Sequence, residues 1–336
     1  MNQVRSWVFN SNVWWAVTLG AVAAAGLGCE PSNTVKPGAA VMLSFGAVYQ
    51  PAPTDSVDGP AYLTTVDAAG VPLIPPRSEF IAIFDRLLDP SLLEDPTTST
   101  GLPGLATLTT TVPSVTLDAS TVYAPGGDAT FHVLLAAGPS FTVVPSCGLP
   151  AGAPGGVQLT MADFVSHDGK TPVVLATGVT SAITFQTEPL AVDIGVPAPT
   201  ADPAGGPDVL GTATPDTTIT LSFNSLTPPG TASTTPPFTA PCTFFSGLTI
   251  ASRIHATATT VAGAAPTPVA AVITQNAMDA TQWMVAPPGT GADGTGGAWP
   301  VGATITITVD AAAVDVFNQP LGADKAASFT VVGSTP

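Results

Sequence analysis

His132, His167 and His255 are the only imidazoles that could serve as general bases in this chain of 336 residues. A hydrolytic triad needs such a base within hydrogen-bond reach of its nucleophile, and none of the three stands beside a nucleophile-elbow sequence of the Gly-x-Ser-x-Gly kind. Ser166-His167-Asp168 places all three triad residue types in a row, which argues against a triad. Neighbours along a strand or turn point in different directions, whereas triad members converge from separate segments. With Gly169 next, the tripeptide predicts a tight turn. His132, in TFHVLL, and His255, in a Thr-rich strand with Arg253 on the same side, are read as solvent-facing.

Metal chemistry finds little to work with. The chain has no Cys-x-x-Cys and no His-Glu-x-x-His, so the spacing expected of zinc ligands is missing and no metal or other cofactor is expected. Asp310, Asp315 and Asp324 gather near one turn and could offer hard oxygen ligands to calcium, but no EF-hand loop surrounds them; the competing reading is of exposed carboxylates that keep the protein soluble. Glu is scarce outside Glu30, Glu79, Glu94 and Glu188, and few aromatics are at hand for a sugar cleft, so a glycosidase carboxylate pair is not supported and no catalytic residue is nominated. Cys147 and Cys242 are candidates for a disulfide, which would add about 4 kcal/mol if unstrained; two buried free thiols are the alternative.

The surrounding composition belongs to a β protein. Apolar residues make up 45% of the chain and charged ones 9%, and the 33 Gly and 36 Pro separate short Val, Ile, Thr and Phe runs as turns separate strands. This is the reverse of the low hydrophobicity and high charge that keep a chain disordered. Seven basic against 23 acidic residues give a formal charge of -16, which excludes phosphate-driven binding, so nucleic acid is not expected as a partner.

Arg5 followed by the uncharged run Val13 to Ala25 reads as a secretion signal, since the run is too short for the roughly 20 residues of a spanning helix. Gly26-Leu27-Gly28-Cys29 then resembles a lipobox. The resemblance implies a signal over residues 1–28, lipidation of Cys29, a membrane lipid anchor and a tether over 29–37. Glu30 rather than Asp follows the cysteine, which favours the outer membrane, with the protein facing the periplasm or the cell surface.

The remainder carries a divergent internal repeat. Phe80, Ala82 and Phe84 correspond to Ile219, Leu221 and Phe223, each 139 residues on, and the period of two predicts a strand in both. Leu87 and Pro90 match Leu226 and Pro229 at the same spacing. Val157, Leu159 and Met161 match Ile305, Ile307 and Val309; the turn at 166–169 matches that at 315–318, with Gly169 and Asn318 suited to positive φ; and the closing strand around Phe185 matches that around Phe329.

The second copy, through LSFN, ITITVDAAAVDVFNQPL and SFTV, resembles bacterial immunoglobulin-like domains of the S-layer-protein type, and the first copy resembles them through FDRLLDP, SHDG and ITFQT. The resemblance implies an all-β fold of two tandem immunoglobulin-like sandwiches, at 38–190 and 191–334, and specifies no activity. Residues 198–216 and 287–298 are Pro/Gly loops read as mobile. The expectation is a non-catalytic envelope lipoprotein, a spacer or adhesion module whose partner is an unidentified protein or polysaccharide. The alternative is an exported glycan-capture module in which Trp283, Trp299 or Tyr123 stacks on sugar rings, with core packing as the simpler account of those rings; a secreted hydrolase ranks last.

Overall fold

Alternating Val, Ile, Thr and Phe suit a pleated, half-buried surface, and in the computed structural model these runs form strands with no α-helix among the described residues. The structure describes residues 38–49, 65–66, 70–89, 106–124, 139–161, 164–199, 210–228, 250–261, 263–277, 279–289 and 296–333. The signal segment, Cys29, the tether, His132, Glu94 and Cys242 lie outside them, as do the centres of the two Pro/Gly loops.

The N-terminal half runs β1 (Val41–Tyr49), β2 (Thr65–Val66), β3 (Pro72–Ile74), β4 (Ser78–Phe84), β5 (Ala106–Thr110), β6 (Thr116–Leu117), β7 (Ala119–Ala124), β8 (Ser140–Pro145), β9 (Val157–Met161), β10 (Val174–Leu175) and β11 (Ala182–Thr187). The C-terminal half runs β12 (Val192–Ile194), β13 (Thr212–Ala213), β14 (Ile219–Phe223), β15 (Ile254–Thr259), β16 (Thr267–Val269), β17 (Val272–Gln275), β18 (Gln282–Ala286), β19 (Thr304–Val309) and β20 (Lys325–Val331).

Among the described residues four sheets result, two in each half. The first half has the orders β10-β1-β4-β8-β7 and β2-β3-β11-β9-β5-β6, and the second has β12-β14-β18-β17 and β13-β20-β19-β15-β16. With the edge strands β2 and β10 set aside, the second pair of orders repeats the first strand for strand. The sense of pairing repeats too: β3 runs parallel to β11 as β13 does to β20, while the other shared pairs are antiparallel.

Each half fills its own interior. In the first, Phe80 of β4 meets Phe185 of β11 across the two sheets, with ring centroids 5.2 Å apart, and Phe164 wedges between Phe84 and Phe141 at 5.5 and 4.9 Å. In the second, Leu221, Ile305, Ile307 and Val309 surround Trp283, Trp299 and Phe329, the last two in edge contact at 6.1 Å. Burying each such side chain stabilises by about 1.5–3 kcal/mol. The inward sets are the ones read from the alternation, since Phe80, Ala82, Phe84, Ile219, Leu221 and Phe223 are all buried.

One local expectation fails. Arg253 is not in a strand with His255 but ends a 3-10 turn, Ala251–Arg253, whose N–H bond to Ile250 O tightens the chain before β15 begins at Ile254. Ile81 points away from the first interior yet is buried, as are Ser140 and Thr142 paired with its strand, whereas Thr220, the counterpart of Ile81 in the repeat, is exposed. The first sheet is therefore covered on both faces at its centre, which period-two alternation alone does not report.

Candidate functional site: the junction between the halves

The residues that could have done chemistry stand apart. Ser166 is buried and its Oγ accepts the Ala40 N–H at 2.8 Å, while Asp168 is exposed and its Oδ1 accepts the N–H groups of Lys170 and Thr171 at 2.9 and 2.8 Å. The Thr171 hydroxyl, which donates to Asp168 Oδ2, and these N–H bonds hold its carboxyl down at about 2. Gly169 has φ 66°, so the cluster is the tight turn that its sequence predicts. His255 is exposed with Nε2 3.2 Å from Asp310 Oδ2, a surface pair with no nucleophile attached.

The aspartates at the second turn serve separate partners. Asp324 Oδ1 accepts the Ala311 N–H at 2.7 Å, Asp310 faces His255, and Asp315 accepts backbone donors of its own turn and of the other half. Among the described residues no group of three or more His, Cys, Asp or Glu side chains could hold a metal ion. The reading of all three as exposed carboxylates is corrected for Asp315, whose exposure is 0%. The aromatics considered for sugar stacking are interior as well. The Trp283 and Trp299 indoles bond Thr227 Oγ1 and Thr217 O at 2.7 Å, and the buried Tyr123 hydroxyl accepts the Leu88 N–H at 2.8 Å.

What the sheets do bring together is a junction. The loop from β8 to β9 leaves the disulfide-bonded Cys147 and runs through Leu149-Pro150-Ala151-Gly152-Ala153. Cys147 packs with Ala280 and Val316 of the second half in a small apolar cluster that Leu226 and Phe317 flank. Ala151 belongs to the interior cluster of the second half, and Phe317 touches that of the first. The connecting segment is pinned from both sides: Glu188 N bonds Ile74 O at 2.9 Å, Gly152 N bonds Glu188 O at 2.8 Å, and Ala153 N bonds Thr187 Oγ1 at 3.0 Å. From the other side, Asn224 Oδ1 accepts the Ala191 N–H and Nδ2 donates to Pro189 O, both at 2.9 Å.

Asp315 closes this junction. Its Oδ2 accepts the Ala151 N–H at 2.9 Å across 164 residues of sequence, and its Oδ1 accepts the N–H groups of Phe317 and Gln319 at 2.9 and 2.8 Å. Desolvation outweighs these bonds and pushes the carboxyl up to about 6. Burial also raises Glu188, against a side-chain bond from Asn224. Sequence reasoning missed both roles, although Asp three places before Asn318 carries the signature of a side-chain-capped turn. The arrangement fixes one half against the other through donors, acceptors and apolar contact, and places no nucleophile beside a base. No known protein family and no curated protein matches the chain.

Proposed function

We propose that this chain is a non-catalytic envelope lipoprotein, anchored through Cys29, whose two tandem immunoglobulin-like domains serve as a spacer or an adhesion and binding module. The observation that carries the reading is the twice-used strand order. A four-stranded sheet in the order β1-β4-β8-β7 opposed by one containing β11-β9-β5 supports an immunoglobulin-like sandwich, and β12-β14-β18-β17 opposed by β20-β19-β15 supports a second. The pinned connection between the halves suits a module that keeps its reach. The glycan-capture reading loses its stacking residues, because Trp283, Trp299 and Tyr123 are buried.

Two measurements test this. Expression of the full chain and of Cys29→Ala in a bacterial host, with intact-mass analysis, should give a diacylated, membrane-bound protein from the first and an unacylated one from the second. An unmodified wild-type mass removes the anchor. Residues 37–336 screened against immobilised polysaccharides and envelope proteins should bind saturably without releasing products. Turnover in the same assay would replace the module with a hydrolase.

A further inference from the structure

We propose that Asp315 is a proton-operated latch between the two halves, holding the junction tightly when its carboxyl is neutral and loosening it when the carboxyl is charged. The inference goes beyond the anchoring and binding roles and rests on the junction alone. Its first support is geometric: a fully buried carboxyl reaches from the turn of one half to a single backbone N–H of the other.

Its second support is the surroundings. The loop Ser146 to Gly156 carries no ionisable side chain except the disulfide-bonded Cys147, and Ser225 to Pro228, on the side of Leu226 that bonds Val316, carries none. Of the acids on neighbouring elements, Asp324 is engaged with Ala311, Asp279 with Thr281 beside Ala280, and Glu188 with Asn224. No cation is among the groups that set the Asp315 carboxyl; only burial and backbone N–H bonds are. A lone charge in such a place is costly, and backbone donors repay it in part.

A third support comes from the repeat. The matching turn puts Ser166 in the same place, where its hydroxyl accepts an N–H of its own half. The carboxylate stands where the acceptor must serve the other half.

The sign follows from linkage. The folded-state value of about 6 exceeds the ordinary 3.8, so the folded form holds the proton over a range where the opened form has lost it. The stabilisation is complete below 3.8 and is lost as pH rises through about 6. Glu188, raised by burial at the same seam, acts in the same direction.

The test is amide hydrogen exchange of the full chain, followed at Ala151 and at Phe317 to Gln319 and corrected for intrinsic exchange at each pH. Protection in the wild type should increase about tenfold between pH 7.5 and pH 5, as a value of about 6 against 3.8 requires. In Asp315→Asn the change should shrink to the smaller part that Glu188 contributes. Equal pH profiles in the two proteins overturn the latch. Should the variant fail to fold, a carbon-13 titration of the wild-type Asp315 carboxyl decides: a midpoint below 4.5 overturns the proposal, and one between 5 and 7 that coincides with the change in protection upholds it.

Discussion

The turns at Ser166 and Asp315 follow equivalent strands and close with the same bonds. Gly169 N returns to Ser166 O at 2.9 Å, as Asn318 N returns to Asp315 O at 3.0 Å, and both hinge residues adopt left-handed backbone, at φ 66° and 63°. Flanking bridges match as well, Val165 with Pro172 and Val314 with Pro320. The difference lies in the acceptor at the first turn position, a neutral hydroxyl in one half and a carboxyl in the other. A buried hydroxyl with a partner has no charge to lose, whereas a buried carboxyl ties the strength of its contact to proton concentration. The same backbone frame thus supports a turn indifferent to mild acid and one that responds to it.

The comparison can be broken most severely just before β9. Gly156 has φ 83°, and a Cβ there would fall on the Phe185 carbonyl; Gly302, before β19, has φ 78° with open space around it. Gly156→Ala should cost about 4 kcal/mol or more, since the β11 backbone must move, and Gly302→Ala about 1–2 kcal/mol from backbone strain alone. Chemical denaturation of both variants checks this, and equal losses would mean that the two sheet pairs are equally close-set at these glycines.

A smaller effect separates Leu88 from its repeat partner Thr227. The Leu88 N–H depends on the Tyr123 hydroxyl at 2.8 Å, whereas the Thr227 N–H bonds Ala280 O at 3.3 Å. Tyr123→Phe should destabilise by about 1–2 kcal/mol through the stranded donor, with faster exchange at Leu88 and none of the change at Thr227. Burial raises the Tyr123 hydroxyl, so it stays neutral through the physiological range.

The smallest effect belongs to Asp168, held down to about 2 by bonds from Thr171 and Lys170 on an exposed turn. A depressed carboxyl contributes stability that is present above its ordinary value of 3.8 and fades as pH falls towards 2. Melting curves of the wild type and Asp168→Asn should therefore differ by a constant small amount from pH 7 to pH 5 and converge in stronger acid. Divergence near pH 6 would assign the mild-acid response to the wrong turn.

Much of the strand pattern was legible because one buried face imposes a period of two, as at Phe80 to Phe84 and Ile219 to Phe223. Positive φ at Gly169 and Asn318 was legible from turn chemistry. The burial of Ile81 was not, since an apolar residue on an outward position reads the same whether or not it is covered. Asp315 was misread for a related reason. Its surroundings come from a loop 164 residues away, and no local pattern reports a partner at that distance. No ligand was legible in the sequence, and no exposed aromatic pair marks a surface among the described residues.

In each half the short strand near the beginning lies parallel to the last one, β3 along β11 and β13 along β20. Tension applied to the two ends of a half loads these parallel backbone bonds along the strand axis, so that they must rupture together and not one after another. Stretching single molecules should accordingly give two discrete force peaks, one for each half, and the protein would hold its shape under tension until one peak is exceeded.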